Sequence, residues 1–226
     1  IRKYTKTLNI DKHSPKSNSQ PALNIILTTK SGTAPIYRTF IKPEKINKGF
    51  EKWSKITEIS RDDLHESFKK LIVTTNDPKL RWIQSRILHH ILTTNRSVSK
   101  YTHNQTDLCS FCNLKSETIL HIFWECTKTK IFWNNLEATV NNRCSHSVNF
   151  RFTKSLILFG HCEIIRTDKI CDFIILMAKF FIYRCKVQNI NLNSRLFIIE
   201  LYNRYKTEYI ISKNRNQFRN DWAPYQ

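Results

Sequence analysis

Cys109, Cys112, His121 and Cys126 constrain this chain more than any other feature, because Cys-x2-Cys followed by His-x4-Cys is the spacing of a closed tetrahedral donor set. Three thiolates and one imidazole suit a structural Zn²⁺ ion. The first pair brackets the tight turn Ser110-Phe111, and the second lies on or beside the apolar, helix-compatible stretch Ile122-Phe123-Trp124. Residues five apart on an ideal helix point about 140° from each other. Either the helix distorts near Phe123, Trp124 and Glu125, or Cys126 lies beyond its end, where Thr127 is a poor helix former. Four protein donors leave no open position for a water nucleophile, so the metal is expected to be structural and Glu125, next to a ligand, is not expected to be catalytic. No catalytic residue is expected.

Charge narrows the partners. The 226 residues carry 37 Lys and Arg against 18 Asp and Glu, a formal net charge of +19. That excess points to a polyanion, with RNA or DNA as the default. Seven cysteines is an odd number, and no cleavable signal segment precedes them, so an intracellular, reducing setting with metal-bound cysteines fits better than a secreted disulfide framework. The longest apolar run, 173–183, is interrupted by Lys179 and is too short for a hydrocarbon core of about 30 Å, so no membrane segment is expected. The chain starts at Ile1 and its single methionine is Met177, which suggests a piece of a longer reading frame.

The periodicity predicts a mainly α fold: a helical domain with a Cys-Cys-His-Cys zinc knuckle inserted between helices and room for one or two short strands. Residues 1–34 read as a polar basic linker, and 36–41 as one short strand or an extended docking segment. A helical segment over 35–95 leads to the knuckle. Within it Phe50, Trp53 and Ile56 mark one helix and Leu64, Phe68, Leu71 and Ile72 a second; Asp62-Asp63 reads as favourable charge at the second helix's N-terminus. Asp77-Pro78 caps a third, whose apolar face is Leu80, Ile83, Ile87, Leu88, Ile91 and Leu92. Its other face offers Lys79, Arg81, Arg86, His89 and His90 to solvent or to phosphate.

The knuckle and its following helix occupy 96–142, with Ile131, Phe132, Leu136 and Val140 as the stripe of a helix over 128–141. The C-terminal helical segment, 143–226, contains a short strand or helix ending at Gly160, a long helix over about 164–187, and a last helix capped by Asn193 or Ser194. Cys171 and Cys185 fall on the apolar side of the long helix. Cys144 with His146, and His161 with Cys162, lack knuckle spacing and read as loop residues. Around the metal candidate, Lys115, Lys128 and Lys130 are expected phosphate contacts, joined by Arg81 and Arg86. Trp124 is a candidate for base stacking, whereas Trp133 fits the core better.

The run Arg81-Trp-Ile-Gln-Ser-Arg-Ile-Leu-His-His-Ile-Leu-Thr-Thr-Asn95, the four ligands, Glu117-Thr118 ahead of His121, and Trp133 resemble the carboxy-terminal reverse-transcriptase zinc-binding region of LINE-type (non-LTR) retrotransposon polyproteins. The segment Ala178-Lys-Phe-Phe-Ile-Tyr-Arg-Cys-Lys186 resembles the long helix that follows in animal elements of this type. The resemblance implies a role in holding template RNA or target DNA during target-primed reverse transcription, in a cytoplasmic ribonucleoprotein and in the nucleus, beside an upstream polymerase domain of the same polyprotein. That polymerase uses an aspartate pair preceded by an aromatic and a small residue. The only Asp-Asp pair here, Asp62-Asp63, follows Ser60-Arg61, so polymerisation is not expected of this fragment. A zinc-organised module that docks on the polymerase, and a decayed element without a selected role, stay open as alternatives.

Overall fold

The computed structural model describes residues 48–57, 59–102, 105–143, 151–160, 169–212 and 215–222, all within one compact unit, Asn47–Gln226. The expected linker over 1–34, the extended segment at 36–41, the Cys144, His146, His161 and Cys162 group, and the start of the long helix lie outside the described residues. What is described is helical. It contains no strand, only an isolated antiparallel bridge between Leu108 and Ser116, so the room left for short strands goes unused there.

Three helices form the platform before the knuckle: α1 (Lys48–Ile56), α2 (Arg61–Thr74) and α3 (Pro78–Leu88). Ser60 caps α2 through a reciprocal box with Asp63, which is why the Asp62-Asp63 pair opens a helix. Asp77 accepts the amides of Lys79 and Leu80 at the start of α3, and Pro78 gives up no needed donor there. The helix then stops earlier than its apolar pattern suggests. His90 adopts φ 55°, which turns the chain out of the helix after Leu88, so Ile91 is left 57% exposed while Leu92 is buried from an extended segment. Gly49 explains the tight corner: a Cβ there would lie 2.5 Å from the His89 carbonyl carbon and oxygen, so only glycine lets α1 approach the end of α3.

A short helix, α4 (Asn95–Val98), capped by Thr94, leads into the knuckle, and α5 (Thr127–Arg143) leads away from it. On α5 the buried stripe is Phe132, Trp133 and Leu136, with Thr129 also buried. Of the expected stripe Phe132 and Leu136 are buried and Ile131 is 57% exposed, while Trp133 is core as expected, its indole donating to the Phe123 carbonyl at 2.8 Å. Then come α6 (Lys154–Phe159), α7 (Lys169–Val187), α8 (Ser194–Ile211) and α9 (Arg215–Trp222). Thr153 caps α6, and Gly160 ends it at φ 70°, a left-handed position that favours glycine. Asn193 caps α8.

The core lies where α7 meets α2 and α3. Ile83, Ile87 and Leu88 from α3 join Ile175, Ala178 and Ile182 from α7 in one cluster with Trp53, whose indole donates to the Ile87 carbonyl at 2.8 Å. Lys179, which interrupts the apolar run in sequence, is nevertheless only 1% exposed. Its ammonium is hydrogen-bonded to the Gln84 side-chain oxygen, and the Gln84 amide donates to the Leu158 carbonyl at 2.9 Å. Burial pulls its pKa down to about 7, against the attraction of Asp172. Asp172 is itself paired with Lys70 at 2.9 Å, and Lys70 also donates to the Gly160 carbonyl. A small polar network thus ties α2, α3, α6 and α7 inside an apolar shell. No helix among the described residues is long and apolar enough to cross a membrane.

Candidate metal centre

The knuckle is folded by its own backbone before any ion is considered. Residues 107–117 fold back on themselves: the Cys109 amide donates to the Lys115 carbonyl, Asn113 to the Cys109 carbonyl, and Glu117 to the Asp107 carbonyl, at 2.7 to 2.9 Å. Asn113 makes the reversal with φ 53°, a conformation that asparagine tolerates better than most residues. This places Cys109 and Cys112 on one side of a tight turn.

The other two donors come from a distorted helix. His121–Glu125 is a π-helical turn, and the Cys126 amide donates to the His121 carbonyl at 2.8 Å, five residues back. Both solutions offered by the sequence are used together. The helix widens by one residue, and Cys126 then leaves it in an extended conformation (φ −61°, ψ 131°) to start α5. Such bulges are frequent at functional sites. Here the bulge removes the angular conflict between ligands five residues apart.

The donor atoms of Cys109, Cys112, His121 and Cys126 all lie within 4.8 Å of one another. The Cys109 and Cys126 sulfurs are 3.8 Å apart, and Cys112 Sγ is 3.4 Å from His121 Nε2. A tetrahedral zinc ion with bonds of about 2.3 Å to sulfur and about 2.0 Å to nitrogen sets edges of roughly 3.8 Å and 3.5 Å, so these two separations match the ion, and the wider donor pairs, within 4.8 Å, close on it by about 1 Å at most. Three of the four residues are buried and Cys112 is half-buried.

The surroundings suit thiolates. Phe111 donates its amide to Cys109 Sγ at 3.5 Å. The hydrogen bond from Cys109, with the amides of Thr129 and Lys128 at the start of α5, draws the Cys126 thiol down to about 4. The same sulfur–sulfur bond and burial push Cys109 up. The His121 ring turns Nε2 toward Cys112, while its buried Nδ1 lacks a hydrogen-bond partner and faces Glu125 Oε2 at 3.9 Å. A carboxylate behind a ligating imidazole is a recurrent orienting arrangement at metal sites. Glu125 is therefore in place to orient the ligand.

A second acidic residue, whose role the sequence did not reveal, fastens the knuckle to the helices. Glu117 is fully buried. Its carboxylate accepts the Asn95 amide at 2.7 Å, the Ser110 amide at 2.8 Å and the Ser110 hydroxyl at 2.7 Å, and Lys186 of α7 lies 3.2 Å away. Lys186 also donates to the Thr93 carbonyl. The one sequence signal was its place in Glu117-Thr118, ahead of His121.

The expected nucleic-acid residues are distributed unevenly. Lys115, Lys128 and Lys130 are exposed around the knuckle. Arg81 is committed elsewhere: its guanidinium donates to the Thr75 and Ile72 carbonyls and to Asn76 Oδ1, closing the C-terminal end of α2. Arg86 lies over the exposed Trp82 ring, 4.7 Å from its centroid. Trp124 is half-buried against the core. His89 and His90, expected on the outer face of α3, pack instead on Phe68 and Trp53, and burial lowers the pKa of His90.

A cysteine-rich metal knuckle carried on a helical platform is the class that this fold and site define. Residues 51–133 match the family model for zinc-binding in reverse transcriptase, which supports a reverse-transcriptase zinc-binding region and zinc as the metal. The match runs from α1 to Trp133 and so takes in the platform helices and all four donors. No curated protein and no solved structure matches the chain.

Proposed function

We propose that this chain is the zinc-stabilised, nucleic-acid-binding C-terminal segment of a LINE-type (non-LTR) retrotransposon polyprotein. It holds template RNA or target DNA during target-primed reverse transcription, while an upstream domain of the same polyprotein polymerises. The observation that carries this reading is the family match over the stretch that gathers the four donors. The formal charge of +19 and the exposed Lys115, Lys128 and Lys130 supply the attraction for phosphate. Such lysines hold the backbone of a nucleic acid without reading its sequence. On this reading the protein works in a cytoplasmic ribonucleoprotein and then in the nucleus.

Equilibrium binding of RNA and DNA across a salt series tests the proposal. The logarithm of affinity should fall linearly with the logarithm of salt concentration, because each neutralised phosphate releases counterions. Reversing Lys128, Lys130 and Arg86 to glutamate should remove binding and leave the helical signal intact. A flat salt response, or no binding at low salt, refutes it.

One observation favours a second reading, a docking module for the polymerase: Leu196, Ile199, Tyr202, Ile210 and Ile211 of α8 are all more than half exposed. Indifference of nucleic-acid binding to the charge reversals, together with capture of the polymerase domain through α8, would favour it.

A further inference from the structure

One of the lysines beside the knuckle, Lys128, borders a groove that the sequence did not anticipate. It lies between the outer face of α5, the start of α8 and the knuckle turn, with a volume of about 550 Å³, inside the ~300–1,000 Å³ range of small-ligand pockets. Lys128, Ile131 and Asn135 line it from α5, one helical face at i, i+3 and i+7; Asn193 and Arg195 line it from the opposite wall, and Phe111 from the turn between two metal ligands. No carboxylate lines it. Neither Lys128 nor Arg195 is paired with an acid among the described residues, although other surface cations, such as Lys69 with Glu66, are.

We propose that this groove takes an unpaired nucleotide from a single strand, its base against Phe111 and Ile131 and its flanking phosphates on Lys128 and Arg195. The inference rests on the nucleic-acid reading above and gives that reading a place and a substrate form. Each wall contributes what a splayed nucleotide needs. An aromatic ring and an exposed aliphatic side chain offer a stacking floor. The Asn193 oxygen caps α8 and the Asn135 amide nitrogen reaches Ser194 Oγ at 3.4 Å, which leaves the Asn193 amide nitrogen to donate and the Asn135 side-chain oxygen to accept at a base edge, and unpaired cations at the rim suit phosphates. A stacked duplex cannot lower one base into a slot of this size, whereas loops, bulges and ends can. Ile131, at odds with its solvent exposure on α5, gains a role as part of that floor. Because Phe111 sits between Cys109 and Cys112, the metal knuckle sets one wall of the groove.

The test uses the zinc-loaded chain with a fluorescent oligouridylate and a blunt RNA hairpin of matched charge. The wild type should prefer the single strand. Phe111→Ala, Arg195→Glu and Ile131→Glu should each weaken oligouridylate binding by roughly ten-fold or more and leave hairpin binding nearly unchanged. Because Phe111 adjoins a ligand, zinc content is measured alongside for every variant, and Ile131→Glu, at an exposed position not adjacent in sequence to any donor, keeps the test valid if Phe111→Ala loses metal. Photocrosslinking with 5-iodouridine should place the adduct on the peptide containing Phe111. Salt-sensitive binding that all three variants retain overturns the groove and leaves the nucleic-acid reading standing. Absence of wild-type binding overturns both. A dimer that Ile131→Glu dissolves, with oligonucleotide affinity unmoved, assigns the groove to a second copy of the chain and overturns the inference as well.

Discussion

The knuckle and the α3–α7 core are neighbours held together by different physics. In the core, Trp53, Ile83, Ile87, Leu88 and Ile182 are fully shielded, and stability scales with apolar area removed from water. Ile122 and Phe123 of the π turn already belong to the core, whereas the knuckle's turn, 107–117, has few such side chains, since Leu108 and Leu114 are exposed. It is held by amide–carbonyl bonds, four converging donors, and one buried carboxylate fastened to Lys186. The core therefore resists perturbation collectively, while the knuckle depends on a few atoms. One region can fail without the other.

The largest effect is expected from Trp53→Ala, which empties a fully buried indole site and removes the indole's bond to the Ile87 carbonyl, leaving that oxygen with the His90 amide alone at 2.9 Å. A loss of about 3–5 kcal/mol should show in urea titration as cooperative loss of the whole helical signal. Glu117→Gln attacks the join between the two regions. It keeps the volume but weakens the bonds to Asn95, Ser110 and Lys186, at a cost of about 1–3 kcal/mol, and hydrogen exchange should quicken in 107–117 before it does in α3 or α7.

Lys179→Met tests the polar network inside the core. The Lys179 pKa lies near 7 in the folded chain and at its ordinary value of 10.5 when unfolded. Between those limits the unfolded state binds the extra proton, so wild-type stability should rise with pH from about 7 toward 10, by at most about 1.4 kcal/mol per pH unit. Below pH 7 both states are protonated and this contribution is flat. Lys70 and Asp172, the other charged groups of the network, stay in place in the variant. Denaturation midpoints of Lys179→Met between pH 7 and 9 should lack the rise.

The smallest effect on the core is expected from Cys126→Ser. It should abolish stoichiometric zinc in metal analysis and loosen residues 107–117 in hydrogen exchange, with the urea midpoint of the helices nearly unmoved, since metal organises only the local fold. Global unfolding of this variant would erase the distinction between the two regions.

The same division governs how much could be read from the sequence. Donor spacing disclosed the metal site because few arrangements of Cys and His at those intervals serve another purpose, and the Asp62-Asp63 charge, the Asp77 cap and the Asn193-Ser194 pair disclosed helix starts because end charge and capping are local interactions. What depended on distant partners stayed hidden. The end of α3 is set by His90 and by the approach of Gly49, not by its own apolar period, which ran on to Ile91 and Leu92. Lys179 read as a break in an apolar run because Gln84, 95 residues away, supplies its partner. Glu117 was legible only as part of the motif ahead of His121, because its partners come from α4, the knuckle turn and α7. Arg81 read as a surface cation, yet the carbonyls at the end of α2 occupy it.

The π turn makes segment length, not composition, the quantity that mutation must respect between His121 and α5. Exchanging Trp124 for another large residue leaves the register alone. Deleting a single residue there takes away the one that the widened turn absorbs, so the turn closes to α geometry and either the Cys126 sulfur or the start of α5, with Phe132 and Trp133, must shift. An insertion or deletion in this short window thus damages the metal site or the core, and drift in this stretch should proceed by substitution alone.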